Sequence, residues 1–158
     1  MCMKIYLLTH EQEPGKATNT GSIALDYAKT VVEKIVWQRT SPDKTLVKLI
    51  SNNKALLLYP KEDKPTGSIA DFENLIIIDS TWQQARKIYN KSQYLKQMPH
   101  ATIRSAAASR YQLRRNQIDG GLCTIECVIE ALKIKGENKL AETLNIEFDK
   151  FNQSNSRG

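Results

Sequence analysis

The stretch LIIIDSTWQQARK, residues 75–87, decides the fold class. Leu75 and the three isoleucines that follow form an unbroken apolar run, the composition of a strand covered on both faces. The run stops at Asp79. Beyond it Trp82, Ala85, Ile88 and Tyr89 recur at intervals of three and four, the spacing of one helical face, with Ser80 or Thr81 as the cap. A buried strand passing directly into a helix is half of a βαβ unit.

The flanking segments repeat this alternation. On the amino-terminal side KIYLL (4–8) reads as a strand, and the polar segment 9–21, with Pro14-Gly15, as a loop. SIALDYAK has helical spacing with Ser22 as its cap, and TVVEKIVW is rich in β-branched residues and reads as a strand. Ser41-Pro42-Asp43 opens a helix with proline near its first position, and Leu46, Leu49 and Ile50 share a face. ALLLYP (55–60) is a second doubly covered strand, ended by Pro60 and followed by a loop. On the carboxyl side the helix begun at Thr81 runs to Gln97 and Pro99 ends it. YQLRR (111–115) is a strand or an extended arm, and Gly120-Gly121 a turn. Two amphipathic helices follow, the first stopped by Gly136. The expected architecture is a single α/β domain over 1–152, with a mainly parallel sheet, helices on both faces and a frayed tail at 153–158.

With 158 residues, 41% hydrophobic and 25% charged, the chain has enough apolar material for one core. No window approaches the roughly 18–20 apolar residues of a membrane span. MCMKIYLL lacks the basic region and the cleavage site of a signal peptide and reads as a first strand. Three cysteines are too few for a disulfide framework, so a reducing cytoplasm is the expected compartment. Net charge is +6, unevenly spread. Between Asp79 and Asp119 there is no acid, while Arg86, Lys87, Lys91, Lys96, Arg104, Arg110, Arg114 and Arg115 contribute +8. A phosphate backbone is the natural partner of such a concentration, and a solvated basic face is the alternative.

In parallel sheets ligands bind outside the carboxyl ends of the strands. Polar breaks fall at Tyr59-Pro60, at Asp79-Ser80-Thr81-Trp82 and at 120–124, and convergence of the three would make one pocket. Asp79 emerges from a buried strand. Desolvation there favours the protonated carboxyl and makes the carboxylate a better proton acceptor; a helix N-cap is an equally natural role. Trp82 covers a flat ligand or belongs to the core. Thr124 caps the helix after Gly121, and Glu126 in its first turn complements the positive helix end. Cys123 and Cys127 lie one turn apart and fall short of a four-ligand zinc site. His10 and His100 have no metal or triad spacing, and no phosphate loop of the Walker or dinucleotide type is present.

Taken in order, these motifs resemble the DTW-domain family. Asp79-Ser80-Thr81-Trp82 with Gln84-Ala85-Arg86-Lys87 is similar to its signature. Thr18-Asn19-Thr20-Gly21, preceded by His10, is similar to its early polar motif, and Leu57-Leu58-Tyr59-Pro60 to its strand-end motif. Ser109-Arg110-Tyr111 with Leu113-Arg114-Arg115 is similar to its basic arm. Leu122-Cys123-Thr124-Ile125-Glu126 is similar to a Leu-Ser-Thr-Leu-Glu segment. Ser80 stands where glycine is usual, Cys123 where serine is, and Cys2 lacks the cysteine cluster that opens many members.

The resemblance implies a SPOUT-like fold with a C-terminal trefoil knot. It implies transfer of the 3-amino-3-carboxypropyl group of S-adenosylmethionine to N3 of a uridine in tRNA, with release of methylthioadenosine. Asp79 would be the catalytic base. Leu58, Tyr59, Pro60, Thr81, Trp82, Leu122, Cys123, Thr124 and Glu126 would hold the donor. Thr18, Asn19, Thr20, Arg86, Lys87, Arg110, Arg114 and Arg115 would meet tRNA or another structured RNA. No metal, no membrane and a monomer are expected. Methyl transfer by a knotted RNA methyltransferase and a catalytically silent RNA-binding module are the competing readings.

Overall fold

The computed structural model describes residues 3–10, 21–38, 40–58, 67–79, 82–101 and 124–156. Within them β1 (Lys4–His10), β2 (Val32–Trp37), β3 (Ala55–Leu58), β4 (Asn74–Ile78) and β5 (His100–Ala101) form one sheet. Its order is β2-β1-β4-β3-β5 and every pairing is parallel. The helices are α1 (Gly21–Tyr27), α2 (Lys44–Ser51), α3 (Trp82–Lys91), α4 (Gln93–Gln97), α5 (Thr124–Ile134) and α6 (Asn138–Ser156). The α/β class and the parallel sheet agree with expectation. Residues 102–123 lie outside the described residues, and the described ones do not show the expected C-terminal trefoil knot.

Two apolar layers sandwich the sheet. Ile5, Leu7, Leu56, Leu75 and Ile77 face α1, α5 and α6, where Ile125, Val128, Leu132, Leu144 and Phe148 complete the first core. Tyr6, Leu8, Leu57, Ile76 and Ile78 face the other way, onto Leu46 of α2, Ala85 and Ile88 of α3 and Leu95 of α4. Alternate residues of each strand serve opposite layers, as the pleat requires. This explains why β3 and β4 read as continuous apolar runs rather than alternating ones.

Several local expectations are corrected. Pro42 stays outside α2, and Asp43 is the cap. Its carboxylate accepts from the Thr45 and Leu46 amides at 2.9 and 3.2 Å. The single helix expected over 81–97 is two, α3 and α4, separated at Ser92. The Ser92 hydroxyl accepts the indole N–H of Trp37 at 2.8 Å, a bond 55 residues long in sequence that joins the break to the end of β2. β1 runs on to His10, so Thr9 lies in the sheet rather than in a loop. His100-Ala101, too short to show a period, pairs with Leu57-Leu58. Gly136 does stop α5, with φ +83. Its amide donates to Lys133 and that of Glu137 to Leu132, the double bond of a Schellman ending.

Candidate functional site at the carboxyl edge of the sheet

β1 and β4 are neighbours, in register from Lys4↔Asn74 to Leu8↔Ile78. The helix after β1 is α1, on one face; the helix after β4 is α3, on the other. Neighbouring strands whose connections leave to opposite faces open a crevice at their carboxyl ends, the usual ligand position in open parallel sheets. Asp79 lies there. Its amide donates to the Leu8 carbonyl at 2.8 Å, extending the β1–β4 ladder one residue past β4.

That ladder fixes direction. Leu75 and Ile77 point into the α1/α5/α6 layer, so Asp79 projects to the same face. By the same alternation Thr9 follows Ile5 and Leu7 to that face, one step beyond the Leu8↔Ile78 pair and hence beside Asp79. Both are 2% exposed. A carboxylate so buried needs polar partners, and Asp79 is engaged in interactions of its own. The Thr9 hydroxyl is different. Among the described residues its Oγ1 has no hydrogen-bond partner. Sequence reasoning missed Thr9 as a site residue. Its signal is the one Asp79 gives, a polar residue ending an apolar strand, obscured because 9–21 reads as a polar loop.

Leu58, paired with Ile77 at the end of β3, brings a third strand end to the same edge. α5 delivers a fourth element. Lys135, just past its end, donates from Nζ to the carbonyl of Ala70 at 3.2 Å. Ala70 lies in the 3-10 turn Ile69–Asp71 that leads into the amino end of β4. An 11-residue helix is roughly 16 Å long, about the span of β4, so α5 starts near the carboxyl edge. Thr124 opens α5 there, and Glu126 in its first turn is buried and engaged in interactions of its own.

The structure thus assembles Leu58, Asp79, the start of α3 at Trp82, and the start of α5 with Thr124 and Glu126 at one edge. Arg86 and Lys87 are exposed on α3, directed away from the core. Thr18, Asn19, Thr20, Tyr59, Pro60, Thr81, Arg110, Arg114, Arg115, Leu122 and Cys123 lie outside the described residues. Among the described residues no group of three or more histidine, cysteine or carboxylate side chains is placed to hold a metal, and no helix is long and apolar enough to cross a membrane.

Fold and site together define an open parallel α/β domain with a buried carboxylate at its switch-point crevice. Residues 1–155 match the DTW domain, and the chain belongs to that family. It is similar to tRNA-uridine aminocarboxypropyltransferase 2 of Drosophila melanogaster, 28% identical over 152 residues, covering 89% of this chain and 60% of that protein. It is similar also to the protein of the same name from Macaca fascicularis, 25% identical over 154 residues, covering 89% and 50%. The Mus musculus protein of that name is 27% identical over 111 residues, covering 65% and 37%. The chain spans about half the length of these curated relatives. No solved structure matches it.

Proposed function

We propose that this chain transfers the 3-amino-3-carboxypropyl group of S-adenosylmethionine to N3 of a uridine in tRNA, with methylthioadenosine as the second product. The observation that carries the reading is a carboxylate, 2% exposed, at the switch-point crevice of a DTW-domain chain. The family's curated relatives are named for this transfer to tRNA uridine.

The residues present fit such a donor. The Thr9 hydroxyl is buried with no partner among the described residues, on the strand position next to Asp79. A polar ligand there would satisfy an atom that otherwise carries a desolvation penalty. Leu58, Tyr59, Pro60, Thr81, Trp82, Leu122, Cys123, Thr124 and Glu126 would hold the donor. When bound, S-adenosylmethionine supplies a sulfonium-activated carbon.

The chain's own task is deprotonation and placement. Uridine N3–H is a weak acid and must lose its proton as the new N3–C bond forms and the C–S bond breaks. Asp79 accepts that proton, a role that contributes about 10²–10⁴-fold. Burial keeps water from competing for the carboxylate. Donor carbon and N3 must also be held roughly 3–3.5 Å apart and in line, which selects one of the three carbons on sulfur. Thr18, Asn19, Thr20, Arg86, Lys87, Arg110, Arg114 and Arg115 would anchor the RNA. A C-terminal trefoil knot, a monomeric state and a cytoplasmic location belong to the same reading.

The test is product analysis. Purified protein, labelled S-adenosylmethionine and bulk tRNA should yield methylthioadenosine and an N3-modified uridine. Release of S-adenosylhomocysteine would assign methyl transfer instead, and RNA binding without either product would assign a silent module. Asp79→Asn should retain donor binding and lose at least ~100-fold in turnover. Near-normal turnover would remove Asp79 from the base role.

A further inference from the structure

The two helical layers carry opposite charge. Helices α2, α3 and α4 bear Lys44, Lys48, Arg86, Lys87, Lys91 and Lys96 and not one acidic residue. All six cations are exposed. Asp43, the cap of α2, accepts from the α2 amides. Helices α1, α5 and α6 on the opposite face hold six acids against three lysines. The layers therefore stand at +6 and −3, with the sheet between them.

The cationic layer also points at the site. α2 leaves the carboxyl end of β2 and leads to the amino end of β3, and α3 leaves the carboxyl end of β4. Both helices thus begin at the carboxyl edge where Asp79 lies. Lys44 stands in the first turn of α2, and Lys48 is one turn further on the same helical face. Arg86 and Lys87 follow the start of α3 by one turn.

We propose that the RNA backbone lies across the α2–α3–α4 face, and that Lys44 and Lys48 of α2 bind phosphates in the same interface as Arg86 and Lys87. The inference rests on the proposed tRNA reading and adds where the RNA sits. It extends the interface to a helix some 30 residues before the basic stretch that begins after Asp79, and it leaves the outer surface of α5 and α6 free of RNA. An RNA phosphate backbone fits because three helices with six exposed cations and no acidic residue of their own release counterions for every phosphate they neutralise, and the carboxylates described on that side of the sheet, Glu33 of β2 and the cap Asp43, are outnumbered.

The test measures binding of the full chain to bulk tRNA across a potassium chloride series. Lys44→Gln with Lys48→Gln should weaken binding several-fold at low salt. It should also reduce the slope of log affinity against log salt by about 0.7–0.9 for each phosphate that is no longer neutralised. Lys91→Gln with Lys96→Gln is a second variant expected to lower the slope in the same way. Lys139→Gln with Lys150→Gln on the opposite face should leave affinity and slope unchanged. An unchanged slope in the α2 variant overturns the proposal, as does an equal loss in the opposite-face variant or wild-type protein that does not bind tRNA. Tighter binding to polyglutamate or to phosphatidylserine vesicles than to tRNA would also overturn it, assigning the face to an acidic protein or a membrane. Failure of the transfer reading is separable. Steep, α2-dependent tRNA binding without methylthioadenosine release leaves the face assignment standing and removes the activity.

Discussion

Replacement of Thr9 by valine separates a ligand contact from a structural hydroxyl. Threonine and valine share shape and β-branching, so the strand keeps its geometry. Thr9 is 2% exposed, and its Oγ1 has no partner among the described residues. An unsatisfied buried hydroxyl carries a penalty of about 1–3 kcal/mol. Thr9→Val removes the hydroxyl and with it the penalty, so the free protein should become more stable by ~1–3 kcal/mol. For a domain of this size each kcal/mol raises the melting temperature by roughly 2–4 °C. Urea unfolding should show a higher midpoint at unchanged slope, since no buried surface is altered. S-adenosylmethionine should at the same time stabilise the variant less than it stabilises wild type, with donor affinity down about tenfold for the loss of one hydrogen bond of ~1.4 kcal/mol. Thr9→Ser, which keeps the hydroxyl, should keep the affinity. Destabilisation of Thr9→Val by ~1 kcal/mol or more would refute this, because it would mean the hydroxyl already makes a bond in the free protein. Unchanged donor affinity with the stability gain intact would leave Thr9 a structural defect rather than a contact.

Two further outcomes follow from the buried cluster at the α3–α4 break. Ser92→Ala removes the acceptor of the Trp37 indole N–H and should lower stability by ~1 kcal/mol or more, read as a lower urea midpoint; an unchanged midpoint would mean that the bond contributes nothing. Tyr94 beside it has its phenol pKa raised, chiefly by burial, with the hydrogen bonds to Ser92 and Trp37 acting in the opposite sense. A raised phenol pKa means the folded chain holds the proton more tightly than the unfolded one. Its contribution is full below the ordinary tyrosine range near pH 10 and is lost as pH rises through the raised value. Tyr94→Phe should therefore flatten the alkaline limb of the stability curve, and the further change Tyr6→Phe should flatten it more, since burial and the nearby Glu33 and Asp43 raise that phenol also. An alkaline limb identical to wild type in the double variant would count against both.

What the sequence revealed and what it concealed divide by range of interaction. β3 and β4 were legible because burial on both faces writes a continuous apolar run into each strand, and Gly136 because a positive φ selects its residue type. The break at Ser92 was not. The residues around it have good helical spacing, and only the bond to Trp37, 55 residues earlier at the end of β2, shows why the chain pauses there. β5 has two residues and no period to read. Asp79 could be singled out because it ends an obvious strand. Its neighbour Thr9 could not, because their adjacency depends on β4 inserting next to β1, and strand order is not encoded in either segment alone. The charge of the α2 face was hidden similarly. Lys44 and Lys48 lie outside the acid-free run, and they join Arg86 and Lys87 only when the chain has crossed the sheet.

The division of charge also bears on how one domain can hold a polyanion and still present a proton acceptor. A cation within about 4–6 Å of a carboxylate stabilises its charged form and weakens it as a base. Six cations on the layer of α2, α3 and α4, four of them on the two helices that follow Asp79, would be poor company for one. The pleat resolves the conflict. Ile78 turns toward the cationic layer and Asp79, one residue on, turns away from it to the net-negative layer of α1, α5 and α6. The polypeptide sheet then stands between the base and the lysines and arginines of α2 and α3. A one-residue slip in the β1–β4 register would exchange those faces, turning the carboxylate toward the α2/α3/α4 layer and Ile78 toward the α1/α5/α6 layer. The ladder bond from the Asp79 amide to Leu8 thus fixes more than a strand end: it decides which helical layer the carboxylate faces.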